Sequence, residues 1–129
     1  MTLTTKDVLT QYLMGNQEAS ENATLIRIKP TCDQIATRLR TTFNTFDFIE
    51  LLNRDELLDC FLNQLTLDSL HWHVIFSILS FAKVMYEACV MHEQGFRIHE
   101  IINKILSSMV KNDIVQWIEN SGGWEQNIC

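Results

Sequence analysis

One proline and four glycines in 129 residues are too few chain breakers for an all-β sandwich with its many tight turns. Basic charge is scarce as well: ten Lys and Arg against sixteen Asp and Glu give a net charge of −6. The basic residues are scattered, so neither a nucleic-acid surface, which needs clustered cations, nor an anionic membrane surface is expected. Cys32, Cys60, Cys89 and Cys129 form no CxxC pair, and no signal peptide opens the chain. They are expected to be reduced thiols in an intracellular protein, which leaves the Asn22-Ala23-Thr24 sequon without a role. A long hydrophobic run is missing too. The most apolar stretch, Trp72 to Met91, is interrupted by His73, Lys83 and Glu87, and its longest clean run, Val74 to Ala82, is about half of the ~20 residues of a membrane span. It reads as a buried core helix. There is no Gly-rich phosphate loop, no G-x-S-x-G elbow and no H-E-x-x-H pair. Cys89, His92 and His99 lack a fourth ligand at zinc-site spacing, so no metal, cofactor or catalytic residue is expected.

What the chain does have is helical periodicity over a single domain spanning residues 1–129. Val8, Leu9, Tyr12 and Leu13 predict a short first helix stopped near Gly15, followed by a polar loop from Asn16 to Asn22. Thr31 and Gln34 read as a capping box after Pro30, opening a helix with Ile35, Leu39, Phe43 and Phe46 on one face. Phe48 to Leu52 predicts a brief turn or helix, and Asn53 with Glu56 the cap of a helix carrying Leu57, Leu58, Phe61, Leu62 and Leu65. Asp68 or Ser69 is expected to cap a long central helix, apolar on nearly all sides, that runs to about His92. Ile98, Ile101, Ile102, Ile105, Leu106 and Met109 have the cleanest period of all, and Asp113 starts a last helix. The expectation is an all-α bundle of about seven helices around a central apolar one.

The last helix runs into Trp117-Ile118, three polar residues, Gly122-Gly123 and Trp124. Physically this is a glycine-stopped helix end with an indole on either side of the bend. The wording W-I-x-x-x-G-G-W also resembles the second homology motif of the Bcl-2 family of apoptosis regulators. Asp68 to Lys83, DSLHWHVIFSILSFAK, resembles the family's first motif, D-G-x-N-W-G-R with an apolar run and S-F-G-G, with Asp68, Trp72, Ser80 and Phe81 in register. Val8-Leu9-x-x-Tyr12-Leu13 resembles the fourth motif.

The resemblance covers nearly the whole chain and implies a Bcl-2-like bundle that recognises amphipathic BH-three helices of pro-apoptotic relatives in an apolar groove. It assigns Phe43, Phe46, Ile49, Leu52, Phe61, Leu65, His73, Val74, Ser77 and Phe81 to the groove, and Trp72, Trp117, Gly122, Gly123 and Trp124 to the architecture. His71-Trp72-His73-Val74 departs from N-W-G-R, so the arginine that pairs with a ligand aspartate is replaced by Val74. The run Leu39-Arg40-Thr41-Thr42-Phe43-Asn44 is taken as the chain's third motif, degenerate against the killers' L-x-x-x-G-D, which implies a survival role. The short first loop and the absence of a tail anchor after Trp124 resemble compact virus-encoded pro-survival members. Such a protein would act in the host cytoplasm, at mitochondria through its partners, and an unoccupied groove is compatible with a homodimer. An interaction protein that has lost groove binding and a membrane-permeabilising killer are the alternatives.

Overall fold

The structure, a computed structural model, describes residues 4–14, 23–65 and 70–124. The predicted loop Asn16–Asn22 and the predicted caps Asp68 and Ser69 lie outside them. Among the described residues seven α-helices and one 3-10 turn form the fold, with no strand: α1 Thr5–Met14, α2 Ala23–Thr42, α3 Thr45–Asn53, α4 Asp55–Leu65, α5 Trp72–Met91, the turn Gly95–Arg97, α6 Ile98–Lys111 and α7 Ile114–Asn120. The expected all-α bundle is what is found.

At the centre stands α5, with α1, α2, α3, the 3-10 turn and α6 packed directly on it. Twelve of its side chains are buried, from Val74 to Cys89, because apolar residues occupy every face of the helix. Its 20 residues and mean hydropathy of 1.7 satisfy the length and composition of a membrane span, so the polar interruptions do not by themselves exclude one. Burial among the other helices accounts for the apolar sequence instead. The amphipathic α6 turns Ile98, Ile101, Ile102, Ile105 and Met109 inward, as its period predicts.

Three boundary expectations are corrected. Thr31 and Gln34 cap nothing, because α2 starts at Ala23 and runs straight through Pro30. Leu25, Ile28, Cys32 and Ala36 make one continuous buried stripe, and burying it outweighs the interior proline, which costs about 3 kcal/mol. Pro30 and Ile26 are both exposed, so the carbonyl that loses its helical donor faces water. Asn53 is the last residue of α3 and not the cap of α4, whose first bonds run from Leu57 and Leu58 N–H to the Arg54 carbonyl. The capping boxes lie elsewhere. Thr4 Oγ1 accepts from Asp7 N–H at 3.1 Å while Asp7 accepts from Thr4 N–H at 3.2 Å, and Asn44 and Asp47 do the same for α3. Finally, α5 begins at Trp72 with His71 in the cap position and no side-chain cap bond.

The end of α5 holds a surprise. Gln94 N–H bonds the Cys89 carbonyl and Glu93 N–H the Val90 carbonyl, the pair of bonds that closes a helix through a left-handed residue. That residue is Glu93, with φ 61°, and not the nearby Gly95. A side chain held there costs about 1–2 kcal/mol relative to a right-handed conformation.

Charged side chains tie the outer helices down. Lys104 donates to the Leu52 carbonyl at 2.7 Å and pairs with Asp55 and Glu100, fixing the α3–α4 junction to α6. Arg97 grips Glu100 through two bonds of 3.0 and 2.9 Å, and this hydrogen bonding holds the Glu100 carboxyl down to about 2. A depressed carboxyl contributes stability above its unfolded value of 4.5 that is lost as pH falls towards 2. Glu100 is 37% exposed, so screening limits the contribution to about 1 kcal/mol. Glu100→Gln is expected to flatten the acid limb of a stability-versus-pH curve by that amount and leave the curve unchanged in shape at neutral pH.

Candidate ligand groove and tryptophan clamp

An aromatic row crosses four elements on one side of α5. Phe43, just beyond the end of α2, meets Phe48 of α3 edge-on at 6.0 Å between centroids. Phe48 leans on Phe81 of α5 at 5.5 Å, and Phe61 of α4 stacks on Phe81 at 4.6 Å. The floor of this row is closed: Phe48, Phe81 and Leu52 are buried, and Ile49 and Val74 are 9% exposed. Phe61, Leu65 and Ser77 are half-buried at its margin, with Ser77 Oγ bonded back to the His73 carbonyl at 3.0 Å. Leu57, one turn before Phe61, is exposed.

So the structure brings Phe43, Phe61 and Phe81 together as expected and adds Phe48, which the sequence placed in an element but not in the site. Its i+5 spacing from Phe43 crosses a helix break, and no periodicity reveals such a pair. Phe46 is elsewhere: its ring lies 4.6 Å from His92, at the C-terminal end of α5. His73 is exposed beside His71, the rings 6.2 Å apart.

The clamp is built as its glycines predict. Gly123 N–H bonds the Ile118 carbonyl at 2.9 Å and Gly122 N–H the Glu119 carbonyl at 3.2 Å, with φ of 81° and 101°. Both positions suit only glycine, and the double bend ends α7 and throws Trp124 back into the core. Trp72 receives both indoles edge-on, Trp117 and Trp124 each at 5.4 Å. Trp124 Nε1–H donates to Thr5 Oγ1 at 3.0 Å, and its carbonyl accepts from the Thr24 hydroxyl at 3.5 Å. One residue therefore closes the end of the bundle onto α1 and α2.

Where α2 crosses α5 the contact is through small residues. Ser80 Oγ lies 2.8 Å from the Cys32 carbonyl and 2.7 Å from the Phe76 carbonyl, and its single proton serves either. Burial pushes the Cys32 thiol up to about 12, so it is inert as a nucleophile. The run that the resemblance takes as the third motif lies away from this crossing. Leu39–Asn44 lies at and beyond the end of α2, with Phe43 41% exposed. The run at the close approach is Ile28-Lys29-Pro30-Thr31-Cys32-Asp33, which has both a small residue and an acid at the L-x-x-x-G-D positions. Asp33 accepts from the Tyr12 hydroxyl at 2.9 Å.

A family model describing apoptosis regulator proteins of the Bcl-2 family matches residues 28–124, well over half of the chain. The chain belongs to the Bcl-2 family, whose members regulate apoptosis and are not enzymes. Comparison with curated proteins and with solved structures gave no significant match.

Proposed function

We propose that this chain suppresses apoptosis by sequestering BH-three helices of pro-apoptotic relatives over the aromatic row, stoichiometrically and without turnover. The carrying observation is the Phe43–Phe48–Phe81–Phe61 row, which joins the α2 end, α3, α5 and α4 under one surface. Each fully buried Leu, Ile or Phe anchor of a ligand contributes about 1.5–3 kcal/mol, enough for four to offset the ordering of a peptide. Phe61 stacks on Phe81 at the margin of this surface, where a ligand anchor would meet both rings. The role belongs in the host cytoplasm, at mitochondria through bound partners, and a compact virus-encoded member is the subtype it fits.

Calorimetric titration with a panel of BH-three peptides tests this. Binding of at least one at about 1 μM or tighter, weakened in Phe61→Ala, is the expected result. Val74→Arg restores a cation for the ligand aspartate and should tighten acid-bearing peptides about tenfold or more, since such a pair contributes about 1.5–3 kcal/mol. Silence from the whole panel with folded protein would remove the groove reading.

The Ile28–Asp33 register favours a second reading, in which α2 itself is donated to a relative's groove and the chain promotes death. Against it stand the interior Pro30, the buried Cys32 and the Tyr12–Asp33 bond. Under that reading a peptide spanning Ala23–Thr42 binds a pro-survival relative.

A further inference from the structure

At the end of α5 farthest from the tryptophan clamp lies a hollow of about 540 Å³, walled by Thr45, Val84, Tyr86, Ala88, Val90 and Met91. Arg40 and Glu87 sit at its edge, joined by two bonds of 2.9 and 3.0 Å. None of the residues of the aromatic row lines it, and of the ten residues assigned to the groove only Phe46, which lies apart from that row, comes near it. Large apolar side chains crowd its mouth: Val90 and Met91 are exposed, Met91 by 69%. Phe46, 66% exposed, packs on His92, whose Nε2 is 2.9 Å from the Thr45 hydroxyl in the wall. Solvent-facing hydrophobes gathered around a concavity mark an interaction surface more often than they occur by chance.

The flanking charge says what kind of partner suits it. Asp47 follows Phe46 and Glu93 follows His92, both exposed, and among the described residues neither pairs with a cation. The nearby cations are already engaged, Arg40 by Glu87 and Arg97 by Glu100. Glu93 also occupies a left-handed conformation, φ 61°, that glycine would adopt without strain. A carboxylate two residues past the wall residue Met91 is thus kept at a conformational cost.

We propose that this face docks a partner segment in which a large apolar side chain is flanked by lysine or arginine. The apolar side chain fills the hollow, and the flanking cations meet Asp47 and Glu93. A second copy is a poor occupant, because a two-fold contact sets this face against itself and brings like carboxylates together.

The test is an NMR titration of the isotope-labelled full chain with a synthetic amphipathic peptide, its leucine anchors flanked by lysines, and with a twin carrying glutamates instead. The lysine peptide is expected to shift Thr45, Tyr86, Val90 and Met91 with a dissociation constant on the order of 10–100 μM that weakens with salt, and the glutamate twin to leave them unmoved. Met91→Glu should abolish the shifts. Glu93→Gly should melt at higher temperature than the parent, yet bind the lysine peptide several-fold more weakly, separating loss of binding from loss of fold. Equal binding by both peptides overturns the proposal, as does no response at these residues. Shifts confined to Phe61 and Leu65 assign the peptide to the groove and overturn it too. Peptide-free shifts that grow with protein concentration would show a second copy as the occupant, which also overturns it.

Discussion

Trp124→Ala is expected to lower unfolding stability by about 3–5 kcal/mol, a large share of the 5–15 kcal/mol that holds a domain of this kind. The side chain is 1% exposed, and its removal leaves a cavity against Trp72 and Thr5 that rigid helices cannot close. Two separate helices, α1 and α5, lose a shared neighbour at once. Trp124→Phe keeps most of the ring but removes the Nε1–H that bonds Thr5, and should cost less, about 1–2 kcal/mol. Thr5→Val strands that N–H in the core at a similar cost. Because both substitutions act on one bond, the double variant should be less destabilised than the sum of the two singles. Urea unfolding followed by circular dichroism measures all four. A Trp124→Ala variant within 1 kcal/mol of the parent would mean that the end of the bundle is held by something other than this clamp.

The clamp was legible in the sequence because its parts are local: two glycines, a helix before them and a tryptophan after. So was α6, where one periodic face meets one core. Other features were hidden, and the reasons are physical. Thr31 and Gln34 looked like a capping box because a proline just before them breaks a helix, yet the stripe from Leu25 to Ala36 shows that tertiary burial decided the matter. The run Ile28–Asp33 was overlooked for the same reason, since a helix thought to begin after Pro30 could not present Ile28 to the core. Glu93 could not be found at all, because nothing in a glutamate signals a left-handed backbone. Phe43, Phe61 and Phe81, which the resemblance assigns to one surface, lie in one aromatic row through Phe48, whereas the short α3 turns Phe46 towards His92. The glycine-set end of α7 could be read from its own neighbours; the start of α2, set by burial against a distant helix, could not.

Lys83 is the plainest example of the second kind, and its charge reversal carries the other large expected effect. It stands where the resembled motif has glycine, S-F-A-K in place of S-F-G-G, and the sequence offers no reason for a cation in the core helix. In the fold, its ammonium donates to the Tyr12 and Leu13 carbonyls at 3.1 and 3.3 Å, capping the C-terminal end of α1 from the flank of α5. Both carbonyls lie in the last described turn of α1, where a cation meets the negative end of the helix dipole. The ammonium also lies 5.4 Å from the Tyr12 ring. Burial nonetheless lowers the Lys83 pKa, more than Glu87 and Asp33 raise it. The charge is therefore tolerated more than it is favoured, and Lys83→Met should stay within about 1 kcal/mol of the parent, the saved desolvation offsetting the lost bonds. Lys83→Glu has no such compensation. It sets a carboxylate against the carbonyl end of α1, with Asp33 and Glu87 close by, and is expected to cost about 3–5 kcal/mol. The loss should fall first on α1, so hydrogen exchange at Val8 and Leu9 should quicken well before that at Ile101 and Ile105. The pH dependence has a definite sign. A lysine whose folded pKa is lowered makes the unfolded chain the better proton binder below 10.5, so stability climbs as pH rises towards that value. Tyr12, held protonated by burial, opposes this above its unfolded value of 10.0, where stability falls again. Lys83→Met should lack the climb and keep the fall. If Lys83→Glu instead lost protection evenly in α1 and α6, the lysine would be a general core contact and not the fastening of the first helix.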